Sequence, residues 1–291
     1  MTIQRQWQQW LQAEPTRPSD SAGAGVAWLP ELAVVRFAGK HARTFLQGYL
    51  TCDTDEIAEG RLLPTALCNL QGRVVMNGWC TAEGDENVLL VLHASLVDGL
   101  ARFLQRYLMF SRKTVLEDRR DAMMVLGGLD LPETAGGLAI DARRRLFLIR
   151  ELTDAQRLWQ AHPPLDGADW LDSLTADGVP LVSAPVSEAF LPQMLNLHVL
   201  GAVDFEKGCY LGQEVVARAQ HRGQVKRHLA RLVWEGEAPS PGAQLTDGEG
   251  KAQGVVLQSG GRGESGPALA VLRDEAPELL RQGDTLLRRP G

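Results

Sequence analysis

Lys207-Gly-Cys-Tyr-Leu-Gly-Gln-Glu214 places one cysteine between two glycines, two residues after a lysine, and runs into the helix-like segment Glu214-Val-Val-Ala-Arg-Ala-Gln220. Gly208 and Gly212 permit positive φ or close backbone approach, so the chain can turn on both sides of Cys209 and present it on a loop. A helix starting near Gly212 would bring free amide groups and a positive dipole end toward the sulfur, and Lys207 would add a full charge. Both favour the thiolate, the form that acts as nucleophile or metal ligand. The alternative is the commoner fate of a lone cysteine, a small hydrophobe in the core.

Upstream of the octapeptide the pattern mixes hairpins with helices. A helix is predicted over Ile3 to Ala13, followed by a Pro, Ser and Gly-rich connector to Gly25. Ala33 to Ala38 reads as a strand and Lys40 to Leu50 as a helix whose Phe45, Leu46 and Tyr49 share a face. Arg73 to Cys80 and Asn87 to His93, separated by a polar turn over Glu83 to Glu86, form a hairpin. Leu96, Leu100, Phe103, Leu104, Tyr107 and Leu108 recur at helical spacing, giving a helix from Ser95 to Met109. Two strands, Ala122 to Gly127 and Leu146 to Arg150, precede a helix from Asp154 to Ala161. Such mixing, without strict βα alternation, predicts an α+β fold with largely antiparallel sheets. After Gly223 short apolar runs at Leu229 to Trp234, Gly254 to Gln258 and Ala268 to Leu272 alternate with turn residues, as in a small β-barrel. The expected organisation is residues 1–30 as helix and connector, 31–225 as an α+β region with an internal boundary near 115–125, and 226–291 as the barrel.

With 291 residues, more than one packed domain is expected. The net charge of -6 excludes a global positive field, so any nucleic-acid affinity needs a local patch. No apolar run approaches the length of a membrane span, and the polar N-terminus lacks a secretory core, so a cytoplasmic protein is expected. Cys52, Cys68 and Cys80 lack the spacing of a zinc knuckle or redox motif and read as packing residues. No GxGxxG or Walker loop is present, and the six histidines have no paired-ligand spacing, which argues against nucleotide and built-in metal chemistry. His198 and His221 flank the octapeptide and are candidates for a thiol-imidazole pair. From Val215 to Arg231 the charges are Arg218, Arg222, Lys226, Arg227 and Arg231, with no acid. Guanidinium groups in that patch suit a polyanion, either RNA phosphates or the glutamate tail of a folate.

The octapeptide, with Val-Val-Ala-Arg-Ala and His-Arg-Gly-Gln-Val-Lys-Arg after it, resembles the signature of the YgfZ family of folate-binding proteins. These are relatives of the glycine-cleavage aminomethyltransferase, or T-protein. Phe45 to Asp53, Cys68 to Arg73 and Leu191 to Asn196 add weaker matches, so the resemblance spans residues 30 to 231. It implies ferredoxin-like folate-binding halves and a tetrahydrofolate or derivative as ligand. It further implies a role in assembly or repair of iron-sulfur clusters and, through cluster enzymes, in tRNA modification. Partners would be iron-sulfur proteins or assembly factors, with tRNA itself an alternative through the Arg218 to Arg231 patch.

On this resemblance Cys209 is the working thiol, Lys207 its activator, and Gly208, Tyr210, Gly212, Gln213 and Glu214 the motif that presents it. Trp170 falls where the family's pocket tryptophan lies, Asp177 beside the position of T-protein's folate-contacting glutamate, which aligns with Ala176, and Arg218 and Arg222 would face the glutamate tail. A second family tryptophan is replaced by Leu32. T-protein's aspartate pair has Met76-Asn77 in its place, and an amide cannot ionise as a carboxylate can. A tetrahydrofolate-dependent methyl or aminomethyl transferase is therefore the competing reading, not the leading one.

Overall fold

The computed structural model describes residues 1–14, 23–111, 113–221 and 225–290. They fall into two compact units, each assembled from discontinuous segments. The first comprises Met1–Phe45, Thr54–Leu63 and Trp79–Trp170, and the second Leu46–Asp53, Pro64–Gly78 and Leu171–Gly291.

In the first unit the helix Ile3–Ala13 starts at Thr2, whose hydroxyl accepts the backbone N–H of Arg5 at 3.3 Å, an N-cap. Ile3, Trp7, Trp10 and Leu11 recur at helical spacing and bury one stripe. That stripe packs with the helix Leu152–Ala161 over a sheet ordered Pro164–Leu165, Gly25–Trp28, Met124–Leu129, Arg144–Ile149, Leu138–Ala139. The pairing of Gly25–Trp28 with Pro164–Leu165 is parallel and the other pairings are antiparallel. Trp7 anchors the cluster, stacked on Trp10 at 4.9 Å and edge-on to Trp159 at 5.4 Å. A second set of strands in this unit, Asn87–His93, Leu32–Ala38 and Val115–Asp118, pairs antiparallel in that order. The helix Val97–Leu108 buries Val97, Leu100 and Leu104.

In the second unit six strands, Arg227–Glu235, Gln244–Thr246, Ala252–Ser259, Ser265–Arg273, Leu279–Gln282 and Thr285–Arg288, close into a barrel. Leu232, Trp234, Leu245, Val256, Leu272, Leu280 and Leu287 fill its interior, and closure leaves no free sheet edge. The α+β class, the antiparallel sheets and the C-terminal barrel expected from the sequence are what the structure has. The predicted helix over Lys40 to Leu50 is shorter, Ala42–Gln47, because the chain is drawn into pairing. Leu50 bridges Leu67 and the Thr51 N–H donates to the Ala66 carbonyl at 2.9 Å, so sheet bonds win over helix bonds there.

Candidate functional site

The octapeptide lies on an irregular loop of the second unit that is fixed at four points. Asp204 donates its N–H to Thr51 O at 2.8 Å and folds its carboxylate back onto the N–H groups of Glu206 and Lys207 at 2.7 and 3.1 Å. The Lys207 ammonium is buried and donates to three carbonyl oxygens, Gln47 at 2.9 Å, Leu50 at 2.7 Å and Cys52 at 2.8 Å. These carbonyls belong to the end of the Ala42–Gln47 helix and the turn after it, where helical acceptors run out of donors. Leu211 N–H then donates to Gly48 O at 2.9 Å.

Gly212 makes the fourth point. Its φ is +81°, and a Cβ there would lie 2.3 Å from the Asn69 carbonyl oxygen, so only glycine fits. The helix Gln213–His221 begins directly after it, with the Gln213 side-chain oxygen accepting the Tyr210 N–H at 3.3 Å. The turn Asn69 to Arg73 abuts this helix, since a Cβ on Gly72 would lie 2.9 Å from Val215 Cβ. Gly208 differs from Gly212, because a Cβ on it would meet nothing within 4 Å and its φ is not positive. The glycine requirement read from the sequence therefore holds for Gly212 and not for Gly208.

Cys209 is exposed at the crest of this loop, whereas Cys52, Cys68 and Cys80 are buried. The charge of Lys207 is engaged with the three carbonyls, so in this structure the lysine anchors the loop. Tyr210 turns inward, with the Lys207 nitrogen 5.3 Å from its ring centroid. Burial raises the Tyr210 phenol above its ordinary range, reinforced by the neighbouring Cys68 and Asp204, and burial pushes the Cys68 thiol up to about 12. Both groups stay neutral, which leaves Cys209 as the accessible thiol. Neither imidazole flanking the loop bonds to it. His221 sits edge-on to Phe205 at 6.3 Å, and burial holds the His198 pKa below the usual imidazole value.

The remaining predicted residues are scattered. Glu214 and Arg218 pair with each other on the exposed side of the helix at 2.6 Å. Arg222 lies outside the described residues. Asn77 is buried and fully used as a clamp, donating to Pro180 O and accepting from Val182 N–H, each at 2.8 Å. An amide so engaged has neither a free end nor an ionisable one for proton chemistry. Trp170, in the first unit, is fully buried and donates its indole N–H to Gly128 O at 3.1 Å.

Asp177, in the second unit, lines a cleft of about 460 Å³ with Arg231, Arg289, Leu229, Val199 and Leu200. Sequence reasoning missed Arg289, whose place beside Arg231 depends on closure of the barrel. The basic patch is also divided. Arg231 faces that cleft, while Lys226 and Arg227 line another, of about 580 Å³, with Lys251 and Arg273. No His, Cys, Asp and Glu cluster among the described residues could hold a metal ion, and no described helix is long and apolar enough to cross a membrane.

No family model matches the chain. It is 29% identical over 261 residues to a protein from Cronobacter sakazakii named tRNA-modifying protein YgfZ, covering 79% of this chain and 78% of that one. It is 28% identical over 292 residues to the protein of the same name from Edwardsiella ictaluri, covering 90% and 85%. Among solved structures the glycine cleavage system aminomethyltransferase T of Bartonella henselae superposes with a TM-score of 0.69 at 16% identity, over 92% of this chain and 85% of that one. The resemblance read from the cysteine octapeptide is thus borne out: the chain is a relative of the YgfZ tRNA-modifying proteins, built on the fold of the glycine-cleavage aminomethyltransferase.

Proposed function

We propose that this chain is a folate-binding accessory protein of iron-sulfur cluster assembly or repair, acting through cluster enzymes on tRNA modification, with Cys209 as its working thiol. The observation that carries this reading is the contrast among the four cysteines: three are buried, and the fourth stands exposed on a loop held at four points. A packing cysteine has no need of such a mount. One thiolate cannot hold a cluster alone, so Cys209 would bind iron or sulfur cargo jointly with thiolates of a partner protein.

The cleft containing Asp177 fits a folate better than the surroundings of Trp170 do. Its size is in the usual range for small-molecule sites, and it joins a carboxylate and two guanidiniums to an apolar wall. Asp177 would accept the N–H groups of a pterin, and Arg231 and Arg289 would hold the anionic tail. Folate, when bound, would supply one-carbon chemistry. With Asn77 committed to the backbone, aminomethyl transfer of the T-protein kind is the weaker reading.

The test is Cys209→Ser in a strain lacking the chromosomal gene. Because the side chain is exposed, the purified variant should melt within about 1 °C of wild type, a change of at most a few tenths of a kcal/mol. It should fail to restore the activity of cluster-dependent enzymes or the level of modified tRNA. Full restoration would remove the thiol from the mechanism.

A further inference from the structure

We propose that the end of the helix Val97–Leu108, with Met109, Phe110 and Lys113, forms a binding surface for single-stranded RNA. The reading rests on neither Cys209 nor folate. From Gly99 to Leu116 the chain carries Arg102, Arg106, Arg112 and Lys113 and no acid, in a protein of net charge -6. Arg112 lies outside the described residues. Arg102, Arg106 and Lys113 are exposed, and none has a carboxylate partner among the described residues. Other arginines of the same unit behave differently: Arg36 is held by Glu83 and Glu117, and Arg120 by Asp98 and Asp118.

Aromatic rings lie among these free cations. Phe103 and Tyr107, four residues apart and half-buried, flank the buried stripe of Val97, Leu100 and Leu104, with the exposed Arg106 beside them. The Arg106 guanidinium lies 4.7 Å from the Tyr107 ring centroid and 5.5 Å from that of Phe103. Beyond them Phe110 is 85% exposed and Met109 78% exposed. A phenylalanine held that far into water has no packing role. Flat rings interleaved with cations are what a single strand requires, because unpaired bases stack on the rings while phosphates meet the guanidiniums. A duplex hides its base faces, so it gains only the electrostatic part. The exposed apolar area is also small for membrane insertion, which calls for a continuous apolar face.

The test uses the full chain and a fluorescent oligouridylate of roughly 12 nucleotides, within the site sizes such surfaces cover. Binding should be saturable, with an affinity that falls with salt at a log-log slope of about -2, as for three phosphate contacts. Phe110→Ala should weaken it about 5- to 100-fold without altering the melting temperature. Arg102→Glu with Arg106→Glu should abolish it, whereas Arg157→Glu, whose side chain is 80% exposed on a different helix, should leave it unchanged. A hairpin duplex should bind more weakly than the single strand. No saturable binding at low salt, indifference to Phe110→Ala, equal affinity for the duplex, or a preference for anionic vesicles over RNA would each overturn the proposal.

Discussion

Replacing Lys207 with methionine is expected to lower the stability of the second unit by about 4 kcal/mol, and to do so without touching the exposed face of the loop. The side chain is 7% exposed, and its ammonium is the common donor to the carbonyls of Gln47, Leu50 and Cys52. Methionine fills a similar volume but donates nothing, so three largely desolvated acceptors lose a charged partner at once. Bonds to charged groups contribute about 1.5–3 kcal/mol each, and partial entry of water keeps the total below their sum. Arginine should not rescue the site, because its planar fork cannot point three donors inward at one spot as an ammonium can. Urea unfolding followed by the near-ultraviolet signal would show the midpoint falling for both variants. Amide exchange at Leu211, whose N–H donates to Gly48 O, should accelerate as the loop loosens. A Lys207→Met protein with wild-type unfolding and lost cellular activity would mean the lysine serves the thiol directly, as the sequence alone implies, and not the loop.

This difference shows where the sequence stopped being informative. That Cys209 sits in a turn before a helix was readable, because Gly212 and the run after it are local signals, and the loop and the helix Gln213–His221 follow. What Lys207 does was not readable, since its acceptors lie about 155 to 160 positions away in the chain. The same division holds for the fold. The first helix was legible to the residue because Ile3, Trp7, Trp10 and Leu11 set its stripe. The strand Gly25–Trp28 was absorbed into the connector, because four residues carry little periodicity and its neighbours, Met124–Leu129 and Pro164–Leu165, come from far along the chain. Three barrel strands, Gln244–Thr246, Leu279–Gln282 and Thr285–Arg288, escaped for the same reason. Contiguity in sequence also made the Arg218 to Arg231 patch look like one surface. Pairing of Arg227–Glu235 within the barrel sends its charges to two clefts. The apolar period places Phe103 and Tyr107 on the helix Val97–Leu108 and says nothing of Phe110, whose exposure is a tertiary fact.

Trp170→Ala should cost the first unit about 4 kcal/mol, in the range for emptying a large aromatic site. The indole occupies space that Gly127 leaves for it. A Cβ on Gly127 would lie 2.7 Å from the Trp170 ring, and Gly128 supplies the carbonyl that its N–H needs. No smaller side chain refills that volume, and the strand Met124–Leu129 beneath it pairs with two neighbours. Any loss of tetrahydrofolate binding in Trp170→Ala would therefore be confounded with loss of fold. Trp170→Phe separates the two, because it keeps an aromatic ring in the site while giving up the bond to Gly128 O, at about 1–2 kcal/mol. Calorimetric titration of tetrahydrofolate into that variant should match wild type within about twofold. Asp177→Asn, by contrast, should weaken binding about tenfold, as expected when a charged acceptor becomes a neutral one. The reverse outcome, a folded Trp170→Phe that no longer binds beside an Asp177→Asn that does, would move the ligand from the Asp177 cleft to the indole. It would require the Met124–Leu129 strand to open, since a ring with no exposed face cannot meet a pterin without displacement of what covers it.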